Sequence, residues 1–249
     1  MNQLSRRYPA GDEGDLPVVP FTGTVSQAGM NDVSFAKAID TQLRLRKRCR
    51  PGRVIKTDHI RLISGLDAAY SGSITHAAAV SLTFPDLDVK ETAYADVPTC
   101  FPYIPGLLAF REGPALIRAF HRLQTRPDMI LVNGHGLAHP RRFGMASQIG
   151  VILDIPTVGV ARRLVTGAAG LMGYHRGACT PVTDGDEIIG MAVRTRSGVK
   201  PVYVSIGHRT DMDQAIEVVL TTTGRYRIPE PLRKAHERAK FRSRLIPEG

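Results

Sequence analysis

Residues 128–140 read DMILVNGHGLAHP. The apolar run Met129-Ile130-Leu131-Val132 has no polar interruption, which is the pattern of a strand buried on both faces. It stops at Asn133, where glycines, two histidines and a proline take over. Downstream, FGMASQIGVILD (143–154) is helical in tendency and TVGVA (157–161) reads as another short buried strand. Strand, helix, strand in this order predicts a β-α-β unit and the α/β class.

Working outward, IRLISGLDAAY (60–70), AAAVSLTF (77–84) and VKETAYADV (89–97) are strand-like runs parted by turn-forming SGS and PDL, which predicts an antiparallel meander. FPYIPGLLAFREGPALIRAFHRL (101–123) opens with a proline-locked loop and continues at helical spacing through Leu107, Phe110, Ile117, Phe120 and Leu123. Gly113-Pro114 is expected to break or kink that helix. In SFAKAIDTQLRLRKRCR (34–50), Ser34 is a candidate N-cap, and Phe35, Ile39, Leu43 and Leu45 predict the apolar side of a helix. Its cluster of Arg44, Arg46, Lys47, Arg48 and Arg50 reads as a solvated face. Later, EIIGMAVRT and PVYVSIG predict strands and DMDQAIEVVLTTT a helix, before a basic, proline-containing end. Residues 1–30, rich in Gly, Pro, Asp and Ser and without period, read as a flexible arm, leaving 31–249 as one domain. The expected fold is a mixed sheet with an antiparallel meander and helices on both faces. Polar residues at its strand ends are then the candidates for chemistry.

The chain has 249 residues, of which 43% are hydrophobic, enough for one large core. Its 33 Lys plus Arg against 23 Asp plus Glu leave a formal charge of +10, which favours a polyanionic partner such as nucleic acid; solubility is the ordinary alternative. Cys49, Cys100 and Cys179 lie far apart with no CxxC pair, which argues against a disulfide framework or a zinc knuckle. With neither a signal-peptide pattern nor a long uncharged apolar run, a soluble, cytoplasmic protein with no membrane span is expected.

Asp67 follows LISGL directly, where a carboxylate would sit at the mouth of the sheet; a turn aspartate is the plain alternative. Glu112 lies just before Gly113-Pro114, and a solvated glutamate is its default reading. If both converge with Asn133, a divalent cation would relieve their repulsion, and an oxygen-only set suits Mg²⁺ or Mn²⁺ rather than zinc. His135 and His139 are compatible with metal by composition, but two glycines and a proline favour a hydrogen-bonding loop, and Arg141 and Arg142 beside them suit phosphate. Pro102 and Pro105 lock a loop presenting Tyr103 and Ile104, either as a wedge between bases or, as residue type alone favours, tucked into the core.

Taken together and in this order, GLDAAY, FPYIPGLLAFREGPAL, GHGLAHPRRFGMASQIG, IPTVGVARR, VYVSIGHR and RIPEPLRKAH resemble the endonuclease V family of nucleic-acid repair nucleases, from about Asp58 to Ala239. The resemblance implies a ribonuclease H-like fold, a monomer, Mg²⁺ with Mn²⁺ able to substitute, and recognition of hypoxanthine (inosine). It also implies hydrolysis of the second phosphodiester 3′ to the lesion; DNA is the expected substrate, and an RNA-directed nuclease is the alternative reading. Carried over by residue, it implies metal-binding acids at Asp67 and Glu112, a wedge at Pro102-Tyr103-Ile104-Pro105, and a base pocket near Leu108, Gly134, Gly136 and His139. It further implies that Arg162 stands for a lysine near the reaction centre and that His208 is a polar group near the scissile phosphate.

The family pattern has a third metal-binding aspartate where this chain has Asn133. An amide keeps one oxygen and the shape but loses a full negative charge. Three explanations stand open: a substitution that traps a substrate complex, a homologue that binds without cutting, or weak catalysis with other ligands. Asp154 reads as a helix-end or loop residue rather than a replacement.

Overall fold

The computed structural model describes residues 32–246; the arm expected over 1–30 lies outside them. The first helix, α1, spans Asp32–Arg46. Ser34 is inside this helix rather than at its cap. Phe35 and Leu43, expected on its apolar side, are exposed, while Ala38 and Gln42 are buried. The cause is polar: the Gln42 amide donates to the carbonyls of Phe143 (2.8 Å) and Gly106 (3.2 Å), which only burial of that face allows. The basic cluster of residues 44–50 is exposed, as expected of a solvated face.

The meander is β1 (Leu62–Ser71), β2 (Ile74–Thr83) and β3 (Val89–Pro98), each antiparallel to the next. Next comes α2 (Leu108–His121), continuous through Gly113-Pro114 and so not in two pieces. Pro114 removes one backbone donor, and its ring faces solvent, where the helix can accommodate it. The run at 128–134 is β4 (Met129–Asn133), followed by α3 (Met145–Leu153) and β5 (Thr157–Ala161), and β4 is parallel to both β1 and β5. The sheet continues through β6 (Ala168–Ala169), β7 (Cys179–Asp184), β8 (Glu187–Val193) and β9 (Val202–His208). Two helices, α4 (Met212–Thr221) and α5 (Glu230–Leu245), close the chain. The strand order is β3-β2-β1-β4-β5-β9-β8-β7-β6.

The uninterrupted apolar run of β4 serves two cores. Ile130 and Val132 pack with Leu66 against Leu116 and Phe120 of α2 and Ile149 of α3. Met129 and Leu131 pack with Ile63, Val158 and Val204 against Val218 of α4 and Leu232 of α5. Each such side chain, fully buried, contributes about 1.5–3 kcal/mol. The helix α5 was not legible as a helix in the basic, proline-containing end. Pro231 sits in its first turn, where the missing N–H is tolerated. It lies so close to β1 that a Cβ at Gly65 would stand 2.1 Å from the Pro231 carbonyl oxygen, so only glycine fits there. Among the described residues no helix is long and apolar enough to cross a membrane.

Candidate active site and nucleic-acid interface

The parallel pairing of β1 with β4 puts Leu66 opposite Val132, so the next residues, Asp67 and Asn133, emerge side by side. Asn133 Nδ2 donates to Asp67 Oδ1 at 2.8 Å. The other oxygen, Oδ2, lies 2.7 Å from Nδ1 of His236 on α5, and a carboxylate can only accept, so the imidazole donates. Asp67 is buried and His236 half-exposed. The hydrogen bond to Asp67 raises the His236 pKa above its ordinary 6.5; burial opposes this, and so does the nearby charge of Arg162.

Glu112 comes from α2. It keeps part of its surface open, yet burial of its carboxyl is the largest cause that pushes its pKa up to about 7. A hydrogen bond from the Tyr70 hydroxyl to Oε1 (2.7 Å) pulls the pKa down, and the charge of Asp67 adds to the rise. The Arg111 guanidinium sits 4.6 Å from the Tyr70 ring centre and donates to the Phe101 carbonyl at the foot of the 102–105 loop.

Asp67, Glu112 and Asn133 are thus brought to one end of the sheet. Their oxygens are of the type a hard cation takes, but the amide at 133 supplies neither a second carboxylate nor an oxygen turned toward Asp67. Both oxygens of Asp67 already accept from N–H groups, and Asn133 turns its NH₂ toward the carboxylate. Among the described residues no three His, Cys, Asp or Glu side chains gather closely enough to hold a metal ion.

Arg162 follows β5 at the same end and is exposed. His208 is elsewhere. Because β9 runs antiparallel to β5, His208 pairs with Thr157 at the start of β5, whereas Asn133 pairs with Val160 near its finish. The buried His208 ring accepts from the Arg50 backbone N–H (3.1 Å) and faces Asp154 (3.3 Å), and burial lowers its pKa. It ties the segment that follows α1 to the end of α3 and does not join Asp67. Asp154 itself is the left-handed C-cap of α3, a helix-end residue as read.

In the 102–105 loop Tyr103 is 68% exposed, which overturns the core placement favoured by residue type, while Ile104 packs against Ala38, Phe101 and Leu107. The Gly106 carbonyl that ends this loop takes three donors: Arg141 Nη2 (2.6 Å), His139 Nε2 (3.0 Å) and Gln42 Nε2 (3.2 Å). Leu108 begins α2 two residues later and is half-buried. His139 Nδ1 accepts from the Arg141 N–H, which fixes the Nε2–H tautomer; burial pushes its pKa down to about 4. Gly134 and Gly136 lie in the same loop. Gly136 serves packing: a Cβ there would stand 2.0 Å from the Ile206 carbonyl oxygen, and its N–H donates to Ser205 Oγ.

His135 faces the Arg163 carbonyl (2.9 Å), so the two histidines do not converge as ligands. The arginines expected to suit phosphate are used internally, Arg141 on Gln42 and Gly106, and Arg142 on Asp184 and Glu187. His236 escaped the sequence reading. The signal was present in Leu232, Ala235 and Ala239, whose helical spacing marks a buried face one residue from it.

The family model described as Endonuclease V matches residues 43–237. The endonuclease V of Trichormus variabilis is 48% identical over 188 residues, covering 75% of this chain and 85% of that protein. That of Methanothrix thermoacetophila is 41% identical over 214 residues, covering 86% and 94%. The crystal structure of endonuclease V from Streptomyces avermitilis is 40% identical, with a TM-score of 0.81 over 84% of this chain and 93% of that one. A Ciona intestinalis endonuclease V, in complex with a 24mer DNA containing an inosine followed by a ribo-adenosine, shares the fold at 24% identity and a TM-score of 0.75, covering 86% and 99%. These neighbours bear out the expected mixed, ribonuclease H-like sheet. With the family model spanning most of its length, the chain belongs to the endonuclease V family of nucleases.

Proposed function

We propose that this chain recognises nucleic acid carrying a deaminated base, hypoxanthine (inosine), and that its cutting of the second phosphodiester 3′ to the lesion is impaired. The observation that carries the reading is the hydrogen bond from Asn133 to Asp67. Where the family pattern has a third acid, this amide presents an N–H to Asp67 and lacks the negative charge that would help hold Mg²⁺ or Mn²⁺. Recognition has its own support. Tyr103 is exposed on a loop held at its foot by three N–H donors, a rigid tip suited to entering a base stack. A base leaving the duplex would go toward Leu108, Gly134, Gly136 and His139, at an unstacking cost of a few kcal/mol that is smaller for a mispaired base. Arg162 would stabilise phosphate charge without taking part in proton transfer. No such role falls to His208.

The second reading is a catalytically silent inosine-binding module, favoured by the engagement of both Asp67 oxygens. The test is cleavage of end-labelled inosine-containing DNA and its RNA counterpart, with Mg²⁺ and then Mn²⁺, comparing the chain with Asn133→Asp. A strong gain of a cut one nucleotide beyond the inosine supports an endonuclease crippled at position 133. No cut by either chain, with inosine-selective binding intact, supports the binding module. A cut confined to the RNA strand makes RNA the substrate.

A further inference from the structure

Three loops meet beyond the strand ends on the side of Asn133: residues 170–178 together with Arg162 and Arg163 as the chain leaves β5, 194–201, and 222–229. The intervening 164–169 runs to the other end of β7, where Thr166 Oγ1 donates to Asp184 (3.1 Å) and β6 pairs with Val182 and Thr183. Strand register fixes this. Ala161 pairs with Tyr203, which also pairs with Ala192, and Val193 pairs with both Val202 and Cys179, so the starts of β7 and β9 and the finishes of β5 and β8 share one end of the sheet. The loops form one surface. Arg227 Nη2 donates to the Arg162 carbonyl (3.3 Å), Thr195 Oγ1 to the Arg227 carbonyl (2.7 Å), and the Gly198 N–H to the Tyr174 carbonyl (2.9 Å).

That surface is one-sided in charge. The three loops contain eight Arg or Lys residues and neither Asp nor Glu. The adjoining acids of α5, Glu230 and Glu237, are both paired with Arg233. Arg196, Lys200 and Arg225 are exposed, and among the described residues no salt bridge engages them. The surface is also apolar in places. Leu171 is wholly exposed, and Tyr174 is 79% exposed with the Arg194 guanidinium 5.3 Å from its ring centre. An aromatic ring backed by a cation on one side and open on the other is a platform for a nucleobase, and free cations around it suit phosphates.

We propose that this basic rim is a track for an unpaired stretch of the bound nucleic-acid strand, with Tyr174 stacking on a base and Arg196 and Lys200 meeting the backbone. The inference rests on the nucleic-acid reading above and extends it to a surface outside the pocket and the wedge. From β4 to β7 there are four strand spacings, or about 19 Å, and at about 3.4 Å per stacked nucleotide the far edge of the rim lies roughly six nucleotides from the Asp67–Asn133 site. Unpaired nucleic acid is the fitting partner because a duplex keeps its bases stacked on each other and offers none to an exposed ring.

The experiment is anisotropy binding, in EDTA, of single strands carrying one inosine. A short strand of about seven nucleotides is compared with strands lengthened by about six on either side. Lengthening on one side is expected to tighten binding about tenfold. In the triple variant Tyr174→Ala, Arg196→Ala, Lys200→Ala that long-to-short ratio falls toward one, and the log–log salt slope on the long strand drops by about 0.7 for each cation lost. A charge-matched control at the far end of the sheet, Lys90→Ala with Arg118→Ala, keeps the ratio. The proposal is overturned if lengthening on neither side helps, if the triple variant keeps the ratio, or if a base-paired extension gives the same gain. Absence of inosine selectivity on the short strand instead overturns the functional reading, while the long-to-short ratio still reports on the rim.

Discussion

The side-chain amide of Asn133 is bonded to the carboxylate of Asp67 at 2.8 Å, tying together the ends of two parallel strands. With an aspartate at 133, two carboxylates would face each other at that distance and repel unless a cation came between them. In EDTA, Asn133→Asp is therefore expected to destabilise the protein by roughly 1–3 kcal/mol, the cost of replacing a buried hydrogen bond by an unsatisfied contact. At this chain length each kcal/mol moves the melting midpoint by about 2–4 °C. Mg²⁺ or Mn²⁺ should restore the midpoint of the variant in a concentration-dependent way and leave the parent little changed. Equal midpoints for the two chains in EDTA would show that the bond contributes nothing.

A second consequence concerns His236. Its pKa is raised above 6.5, first by the hydrogen bond to Asp67, so the folded chain holds this proton more tightly than the unfolded chain does. The stabilisation is complete below about pH 6.5 and is lost as pH rises through the raised value. The side chain is 41% exposed, so solvent screening keeps the effect small. The measurement is an NMR titration of the imidazole. The midpoint should lie above 6.5 in the parent and fall back in Asp67→Asn. An unchanged midpoint would remove the His236–Asp67 bond from the solution structure.

Parts of this arrangement could be read from the sequence and parts could not, for physical reasons. The two-faced burial of β4 is written in MILV, because alternate residues serve different cores and none can be polar. The meander is equally plain. The helix α5 is not, because its buried face is one leucine and two alanines among charged residues, a weak apolar stripe begun by prolines. Without that helix, His236 had no reason to be placed beside Asp67. The position of His208 depended on strand direction: a residue at the C-terminal end of an antiparallel strand lands at the opposite end of the sheet from the C-terminal ends of β4 and β5. Side-chain pattern alone does not carry that information. For the same reason the basic rim is invisible in sequence, since its three loops become neighbours only through the register of β5, β7, β8 and β9.

His139 gives a pH dependence of the opposite sign to that of His236. Its folded pKa is pushed down to about 4 by burial, helped by the charge of Arg141. Between about pH 6.5 and 4 the unfolded chain takes up a proton that the folded chain refuses, so stability is present above 6.5 and declines as pH falls. The full span is on the order of 3 kcal/mol. His139→Gln, whose amide can still donate to the Gly106 carbonyl, should flatten the stability profile in that interval. Urea midpoints at a series of pH values would reveal it, and identical slopes for parent and variant would mean that another group is responsible.

Tyr103 separates recognition from stability. Its ring is 68% exposed, so Tyr103→Ala removes little packing and should change the unfolding free energy by no more than about 0.5 kcal/mol. Its cost should appear in binding. If the ring fills the gap left when an inosine leaves a duplex, its loss removes compensation for unstacking, of a few kcal/mol, from duplex binding alone. An inosine in a single strand has no paired stack to open, so its binding should be spared. The decisive comparison is the ratio of duplex to single-strand affinity in parent and variant, measured in EDTA so that any cutting is suppressed. A drop of tenfold or more in that ratio, at unchanged melting midpoint, is the expected result, about 1.4 kcal/mol or more. Equal losses on both substrates would make Tyr103 a general contact rather than a wedge, and no loss on either would leave the exposed 102–105 loop without a part in recognition.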